Sequence, residues 1–335
     1  MKIAFLINQT HKEEEVFTTT LLAQKALQRG HTVLYIGLAD FVYQDENKIL
    51  AHARVVQPKD NIKQCSQLIK KLKEVPKELK DFASIDVLWL RFDPTLDMIN
   101  RPWAASTGIH FAQLLKRNGK LVINDPDNLI QANNKLYLEN FPKVVRPKTL
   151  VTRDEQDVVK FMEKQKDHII LKPLKGSGGM NVFMINYNEN QNLKQTVEAI
   201  ARDGYVLAQE YLPKASEGDI RFFLINGKPL MKNGKYAAIK RVQPKGEIRS
   251  NIHQGAKAEA AEITEGILAL VKKVSKKLKE DNMYLVGLDI VGDKIMEINV
   301  FSPGGLGHAS KLLKEDFSEV IIEDLEKKVK KFYKK

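Results

Sequence analysis

The chain has 335 residues, of which 43% are hydrophobic, a size and composition typical of a globular protein with two or three domains. No apolar run reaches the roughly 18 residues of a membrane helix, and the single cysteine, Cys65, excludes an internal disulfide framework and fits a reducing cytoplasm. The formal net charge is +12, but the basic residues are spread along the chain, so we expect an anionic small-molecule substrate and neither a nucleic-acid nor a membrane partner.

Residues 1–125 alternate strand-like and helix-like patterns. A strand at 2–8, a helix at 16–29 and a strand at 31–37 predict a parallel pair with a crossover helix. A hairpin at 45–48, a buried strand at 85–92, a helix at 104–117 and a strand at 121–124 follow. This order predicts a small α/β domain.

Residues 126–148 are predicted to be a connecting helix that runs to Asn140 and a linker marked by Pro142 and Pro147. The remaining residues, 149–335, are predicted to form a second α/β (α+β) domain. Its later elements are helices at 191–202, 258–279 and 317–333, strands at 205–211 and 220–225, a long loop at 241–257 and a hairpin at 284–300. Structureless loops of that length are uncommon unless they act as lids, so we interpret 241–257 as a lid.

The hairpin carries polar side chains within apolar strands. Glu297 and Asn299 are two residues apart and point to the same face, and Asp289 lies within cross-strand reach of that face. Oxygen ligands of this kind suit Mg²⁺. An ordinary hairpin with one face in water explains the same pattern equally well.

A glycine-rich turn joins two apolar strands around residues 168–185. Gly176, Gly178 and Gly179 allow the backbone to approach a phosphate closely, whereas the Gly-Lys-Ser/Thr ending of a P-loop is absent. A flexible hairpin is the alternative interpretation. Lys172 argues against it, because a lysine in an apolar strand is costly unless it meets an anion.

Two weaker signals follow. The strand LAQEYL at 207–212 is either a core strand or the edge that reads an adenine through its backbone. Arg241 and Arg249 lie around the long loop, and surface charge is the simpler explanation for each of them. Arg221 lies in a packed strand, so its guanidinium needs a carboxylate or phosphate partner. Together, lysines, a glycine flap, an acid pair and arginines are the equipment of phosphoryl transfer.

The ordered motifs of the chain resemble those of the ATP-grasp ligases, and more closely those of bacterial glutathione synthetases. The motifs are IILKPL with its glycine loop, AQEYLP, EGDIR, GLDIVGD, EIN followed by SP, and earlier LRFDP, INDP and NNKLY. The resemblance implies an ATP-grasp fold with an N-terminal pre-ATP-grasp domain, residues 1–125, and only the resemblance implies that this domain binds substrate. It also implies that an acid attacks the γ-phosphate of ATP and that an amine captures the acyl phosphate, the pair being γ-glutamylcysteine and glycine.

The resemblance also implies the roles of individual residues. Arg241 would face the acyl phosphate and, with Arg221, act in catalysis, while two Mg²⁺ ions, replaceable by Mn²⁺, would bind Asp289, Glu297 and Asn299. The implied ATP-binding residues are Lys135, Lys172, Gly176, Ser177, Gly178, Gly179, Gln209, Glu210, Tyr211, Leu212 and Asp219, the last near the ribose. The implied substrate-binding residues are Arg221, Arg249, Asn251, Ser302 and Pro303. The family further implies a dimer or tetramer.

The sequence departs from that family near the substrate sites. Gly304-Gly305-Leu306-Gly307-His308 follows Ser302-Pro303, Phe301 replaces a threonine, and the composition of the lid differs. The glycine segment Gly304–Gly307 is expected to be a loose loop with more room and more backbone mobility than a site for glycine needs. Two alternatives therefore stay open. One is an ATP-grasp ligase for another amino acid or a polyamine, and the other is a non-catalytic ATP-binding regulator such as the synapsins. The intact acid pair, Arg241 and the glycine flap count against the regulator.

Overall fold

The computed structural model describes residues 1–45, 48–176, 178–244 and 255–334. Its first part is built on an N-terminal sheet of mixed direction, in the order β3-β4-β2-β1-β6-β7 with β5 paired to β4. The strands are β1 (Lys2–Ile7), β2 (Thr32–Gly37), β3 (Phe41–Gln44), β4 (Lys48–Val56), β5 (Lys77–Asp81), β6 (Val87–Leu90) and β7 (Leu121–Ile123). The helices are α1 (Thr18–Gln28), α2 (Cys65–Glu74) and α3 (Pro102–Arg117).

The predicted strand–helix–strand unit at the start of the chain is confirmed. β1 and β2 are parallel, and β6 and β7 continue the parallel part of the sheet on the other side of β1. The predicted hairpin is also present, since β3 and β4 are antiparallel with Gln44 opposite Lys48. Because parallel strands end at one edge of a sheet, the residues that follow β1 and β6 lie side by side.

The single helix predicted to run to Asn140 is wrong. Helix α4 (Pro126–Leu129) is short, and two 3-10 segments, Ile130–Ala132 and Lys135–Asn140, follow it. The break lies at Asn134, which is extended (φ −150°, ψ 172°) and whose side-chain oxygen accepts a hydrogen bond from the amide of Leu136. The amide of Lys135 meanwhile donates to the carbonyl of Leu174 at 3.2 Å, so the break brings Lys135 to the glycine-rich loop.

The small sheet follows, with the predicted alternation of strand, helix, strand, loop and strand confirmed. It is antiparallel, in the order β10-β9-β11-β8. Its elements are β8 (Thr149–Thr152), α5 (Glu155–Gln165), β9 (Ile169–Pro173), β10 (Phe183–Ile185), α6 (Leu193–Ala201) and β11 (Val206–Glu210).

The C-terminal sheet is antiparallel in the order β17-β16-β12-β18-β19, with β13 on β12, and the pair β14–β15 stands apart from it. The strands are β12 (Asp219–Ile225), β13 (Lys228–Pro229), β14 (Met231–Lys232), β15 (Lys235–Tyr236), β16 (Ala238–Val242), β17 (Lys257–Ala260), β18 (Leu285–Val291) and β19 (Lys294–Asn299). The helices are α7 (Glu265–Glu280), α8 (Leu306–Leu313) and α9 (Phe317–Tyr333). The hairpin β18–β19 and the last helix are confirmed.

Three expectations for this region are corrected. The helix predicted from 258 begins at Glu265, after a Thr264 cap, because residues 257–260 pair with β16. Arg241 lies inside β16 and is buried, not in a loop. The glycines after Pro303 are not a loose loop, since Gly305, at φ +99°, starts helix α8. The interior of the predicted lid, 245–254, lies outside the described residues.

The hydrophobic side chains form two shared cores and one separate core. Two clusters each combine the N-terminal sheet with the C-terminal sheet, one including Phe92 and Leu288 and the other Phe5 and Phe317. The small sheet packs its own cluster with α5 and α6. No helix in the described ranges is long and apolar enough to span a membrane. The domain limits at 125 and 148 stay a prediction.

Candidate active site

A cleft of about 110 Å³ opens where the N-terminal sheet, the glycine-rich loop and β19 meet. Its walls combine the segment after β6, the break before the 3-10 helix at Lys135, and the end of β19 with the residues that follow it. The residues that line it include Asp93, Thr95, Lys135, Gly176, Glu297, Asn299, Phe301 and Ser302. A smaller cavity shares Lys135 and Met296 with this cleft and is also lined by Thr149, Lys172 and Gln209.

Two lysines, which together we call the lysine wall, have uncharged hydrogen-bond partners; Lys135 lines the cleft, and Lys172 lines the smaller cavity beside it. Lys135 Nζ donates to the carbonyl of Gly176 and lies 3.9 Å from Glu297 Oε1. Lys172 Nζ donates to Gln209 Oε1 at 3.0 Å, and buried Gln209 in turn donates to the hydroxyl of Thr149. Burial, together with the charge of Lys135, lowers the pKa of Lys172 to about 8. Because these two cations have little negative charge beside them, they form a candidate anion-binding site.

The glycine-rich turn has the backbone that the sequence predicts. It joins β9 to β10, and its residues Gly178 and Gly179 have φ values of +69° and +75°, which a residue with a Cβ rarely adopts. Gly176 faces the cleft through its carbonyl, which Lys135 binds. Ser177 lies outside the described residues, as do Arg249 and Asn251.

A network of buried charges, which we call the arginine wall, crosses three strands of the C-terminal sheet beside β19; none of its four side chains lines the cleft or the smaller cavity. β12 lies between β16 and β18, which puts Asp219 opposite Arg241 and Arg221 opposite Asp289. Arg221 binds Asp289 with two hydrogen bonds, Nε–Oδ1 at 2.5 Å and Nη2–Oδ2 at 2.9 Å. Arg241 makes the same forked contact with Asp219 and lies 2.9 Å from Asp289 Oδ2. All four side chains are less than 10% exposed.

The two aspartates of this network titrate differently. Burial alone would raise the pKa of Asp289, but the two arginines outweigh it and lower that pKa to about 2. Burial and the charge of Asp289 raise the pKa of Asp219, against the opposing effect of Arg241. Asp289 is therefore the firmly ionised centre of the network.

The predicted metal-binding residues lie together on the hairpin. Asp289 is directly opposite Glu297, and Asn299 Nδ2 is 3.3 Å from Asp289 Oδ2. Glu297 is far more accessible than Asp289, with 38% of its side chain exposed against 7%. Within the described ranges no group of three His, Cys, Asp or Glu side chains suits a metal ion, and the set on this hairpin consists of two carboxylates and one amide. Two carboxylates and an amide oxygen fit a hard cation such as Mg²⁺.

The predicted substrate residues Ser302 and Pro303 lie in the segment that follows β19. Ser302 lines the cleft, and Pro303 packs beside Arg221, whose Nη1 donates to the carbonyl of Gly304 at 3.0 Å. A Cβ at Gly287 would stand 2.9 Å from Arg221 Cδ and 3.0 Å from Pro303 Cβ. The glycine in the GLDIVGD motif therefore leaves the space in which arginine and proline meet.

The residues predicted to bind adenine lie at the end of β11. Glu210 accepts a hydrogen bond from the amide of Lys148 at 2.8 Å, and the amide of Tyr211 donates to the carbonyl of His168. Leu212 precedes a 3-10 turn, Pro213–Glu217. Their role in ATP binding stays a prediction, as do the roles of the other predicted site residues.

Sequence reasoning did not assign a role to the N-terminal contribution to the cleft. Asp93 and Thr95 line it, and the carboxylate of Asp93 caps the turn by accepting from the amide of Thr95 at 2.8 Å. The signal was the LRFDP motif, in which an aspartate directly precedes a proline at the carboxyl end of a parallel strand.

Two family models match the chain. Residues 1–129 match the N-terminal domain of prokaryotic glutathione synthetase, and residues 134–314 match its ATP-grasp domain. Among curated proteins, the glutathione synthetase of Coxiella burnetii is 33% identical over 313 residues, which is 92% of this chain and 91% of that protein. The glutathione synthetase of Escherichia coli K12 is 32% identical, over 89% and 88% of the two chains.

Solved structures with low sequence identity share the architecture. The D-cycloserine synthetase DcsG superimposes with a TM-score of 0.65 at 14% identity, covering 98% of this chain and 99% of that one. The ATP-grasp ligase PsnB, complexed with a minimal precursor, Mg and ADP, gives a TM-score of 0.58 at 16% identity, covering 98% of each chain. These likenesses show the ATP-grasp fold that the motifs predict.

Proposed function

The chain belongs to the prokaryotic glutathione synthetase family, and we propose that it uses ATP to join γ-glutamylcysteine to glycine. The carboxylate of the acid attacks the γ-phosphorus of ATP, and ADP leaves. The amine nitrogen then attacks the acyl carbon, phosphate leaves, and the amine loses a proton as the amide forms. The observation that supports this best is the cleft in which Lys135, Gly176, Glu297 and Ser302 meet.

Different parts of the site have separate tasks in this reaction. Lys135 and Lys172 bind the phosphates of ATP, for which their partial burial and uncharged partners prepare them. The glycine-rich turn covers the phosphates with its backbone. Glu210, Tyr211 and Leu212 line the adenine pocket at the end of β11. Excluding water from the cleft protects the acyl phosphate from hydrolysis.

Glu297, Asn299 and one oxygen of Asp289 would hold the divalent cations, which we propose are two Mg²⁺ ions, with Mn²⁺ able to replace them. When bound, such cations neutralise charge that develops on the transferred phosphoryl group. Oδ1 of Asp289 has a lone pair left for a cation, because it accepts one hydrogen bond in the structure, whereas Oδ2 is within reach of three nitrogens.

The arginine wall positions the reacting groups. Arg221 lies beside Pro303 and binds the carbonyl of Gly304, which puts its guanidinium next to the acid and amine subsites. Arg241 belongs to the same network and faces the acyl phosphate in this proposal. Asp219, expected near the ribose from the resemblance, is paired with Arg241 in the structure and so also holds that guanidinium in place.

A second candidate is an ATP-grasp ligase for another acid and amine. It is favoured by Phe301, which stands where the family has threonine and lines the cleft, and by the glycine segment that starts α8. These features border the substrate subsites and leave the ATP wall unchanged. For either reaction we propose a cytoplasmic enzyme that assembles as a dimer or tetramer.

The test holds ATP, Mg²⁺ and γ-glutamylcysteine fixed, varies the amine, and identifies the product by mass together with phosphate release. We expect glycine to give the largest kcat/KM. If larger amines are used as well as glycine, or if γ-glutamylcysteine is ignored while another acid releases phosphate, the second candidate is correct. ATP binding without phosphate release from any acid and amine would instead indicate a regulator.

A further inference from the structure

The segment 300–304, which directly follows β19, is held at three of its backbone carbonyls by side chains from different parts of the fold. Asn124, after β7, donates to the carbonyl of Val300, and Arg221, on β12, donates to that of Gly304. The third contact comes from Arg91, directly after β6, whose Nη2 donates to the carbonyl of Pro303 at 3.3 Å. Two of the three therefore belong to the N-terminal sheet.

The neighbour of Arg91 makes a further contact with the same segment. Phe92 is fully buried and meets Phe301 edge to face, with ring centroids 5.5 Å apart at 62°. Aromatic pairs of this geometry contribute more than their buried area alone. The turn after β6 thus holds this segment through one polar and one aromatic contact, on either side of Ser302.

Arg91 is not explained by packing. It is 3% exposed, its Nε donates to the hydroxyl of Thr19 at 3.1 Å, and its Nη1 has no hydrogen-bond partner within the described ranges. No carboxylate of the described residues lies within salt-bridge distance of it. The hydrogen bonds of Arg91 go to neutral oxygens, and the buried carboxylate of Glu13 attracts it only from beyond ion-pair distance. A buried guanidinium without an ion pair costs stability, so its place here indicates a task that an apolar side chain would not perform.

We propose that Arg91 is a positioning residue that, together with Phe92, holds residues 300–304 against the N-terminal sheet and so sets the shape of the acid and amine subsites. Arg91 acts through Pro303 and does not touch the reacting atoms. ATP lies against the lysine wall, which makes no contact with Arg91, so its binding is independent of this residue. The claim that residues 300–304 shape the acid and amine subsites rests on the proposed function. The claim that Arg91 and Phe92 hold this segment does not.

The test compares Arg91→Lys and Phe301→Leu with Arg29→Lys, a matched change at an arginine that joins α1 to α9 and does not line the cleft. Arg91→Lys keeps the charge but loses the forked reach to Thr19 and Pro303. We expect the KM values for γ-glutamylcysteine and glycine to rise about tenfold while the KM for ATP stays within about twofold. Hydrogen exchange of the amides at 300–306 should become faster, and exchange at β9 should not.

Two results would overturn the proposal. One is unchanged exchange at 300–306 in folded Arg91→Lys, and the other is an equal rise in all three KM values. If Arg91→Lys does not fold, hydrogen exchange at 300–306 in Phe301→Leu decides, because that change weakens the contact of Phe92 with the same segment and leaves no buried charge unpaired. If the wild-type protein makes no glutathione, the proposed function fails, yet the exchange comparison still tests how the segment is held.

Discussion

The arginine wall and the lysine wall hold their cations in opposite ways. On the arginine wall, Arg221 and Arg241 are buried and bind Asp219 and Asp289 through forked hydrogen bonds. On the lysine wall, Lys135 contacts a backbone carbonyl and Lys172 an amide oxygen, and the carboxylate of Glu297 is 3.9 Å from Lys135. One wall is balanced within the protein, and the other is short of negative charge.

This difference separates stability from ligand binding. The arginine wall joins three strands, so its ion pairs fix the positions of β12, β16 and β18 before any ligand arrives. The lysine wall lowers stability, because burial penalises the cation of Lys172, and that penalty is relieved when an anion binds. Substitutions on the first wall should therefore change folding, and substitutions on the second should change affinity.

The largest expected effect is that of Asp289→Asn on stability. This change leaves two buried guanidinium groups with one carboxylate between them, and breaking a buried pair from one side costs about 3–5 kcal/mol. Urea denaturation measures the loss of unfolding free energy. The matched control is Asp293→Asn in the turn of the same hairpin, where the carboxylate is 89% exposed and a change under about 0.5 kcal/mol is expected. Equal effects of the two substitutions would contradict the division between the walls.

Glu297→Gln should act on turnover and hardly on folding. It keeps the shape of the side chain but removes the charge of the more accessible of the two proposed carboxylate ligands, which costs on the order of 3 kcal/mol of transition-state stabilisation. We expect kcat to fall at least about a hundredfold and the Mg²⁺ concentration for half-maximal turnover to rise, with the urea midpoint unchanged. Near-normal turnover by the folded variant would contradict the metal assignment, and a large loss of stability would place Glu297 with the arginine wall.

Lys172→Met should weaken ATP binding without destabilising the protein. A hydrogen bond between a charged group and a phosphate is worth about 1.5–3 kcal/mol, which corresponds to a loss of affinity of about tenfold or more. Because methionine avoids the cost of a buried ammonium, the unfolding free energy should stay the same or rise. Calorimetric titration with ATP and Mg²⁺ measures the affinity, with the exposed Lys160 on α5 changed to Met as the control. Unaltered affinity would remove Lys172 from the phosphate site.

The smallest expected effect is a pH dependence of the same interaction. The pKa of Lys172 is about 8 in the ligand-free protein, and bound phosphate raises it, so ATP binds the protonated form. Affinity should be level below pH 7 and fall about fourfold between pH 7 and 8.5, and Lys172→Met should abolish this fall. The unfolded chain keeps its proton on this lysine up to about pH 10.4, so the contribution of Lys172 to stability should rise between pH 8 and that value. A flat affinity profile in the wild-type protein would show that Lys172 does not titrate in this range.

Much of the fold follows from local patterns in the chain. Periodicity predicts the parallel unit at β1 and β2, the small-sheet alternation, the hairpin β18–β19 and helix α9, because each of these elements buries one regular face. It fails at Lys135, where a tertiary hydrogen bond to Leu174 and the cap by Asn134 interrupt an apparently helical run. It also fails at 257–260, where pairing with β16 overrides a run of alanine and glutamate with high helix propensity.

The sequence by itself determined which chemistry the protein carries: oxygen ligands two residues apart on one strand, glycines between two strands, and the ordered motifs of one ligase family. These signals are local, because residue type and spacing within one element create them. The tertiary structure alone decided the partners of the charged groups. Arg221 finds Asp289 because β12 lies between β16 and β18, and Arg91 meets Pro303, 212 positions later in the chain, because two sheets share their cores. Contacts of this kind depend on strand order and sheet packing, and no spacing within the sequence encodes them directly.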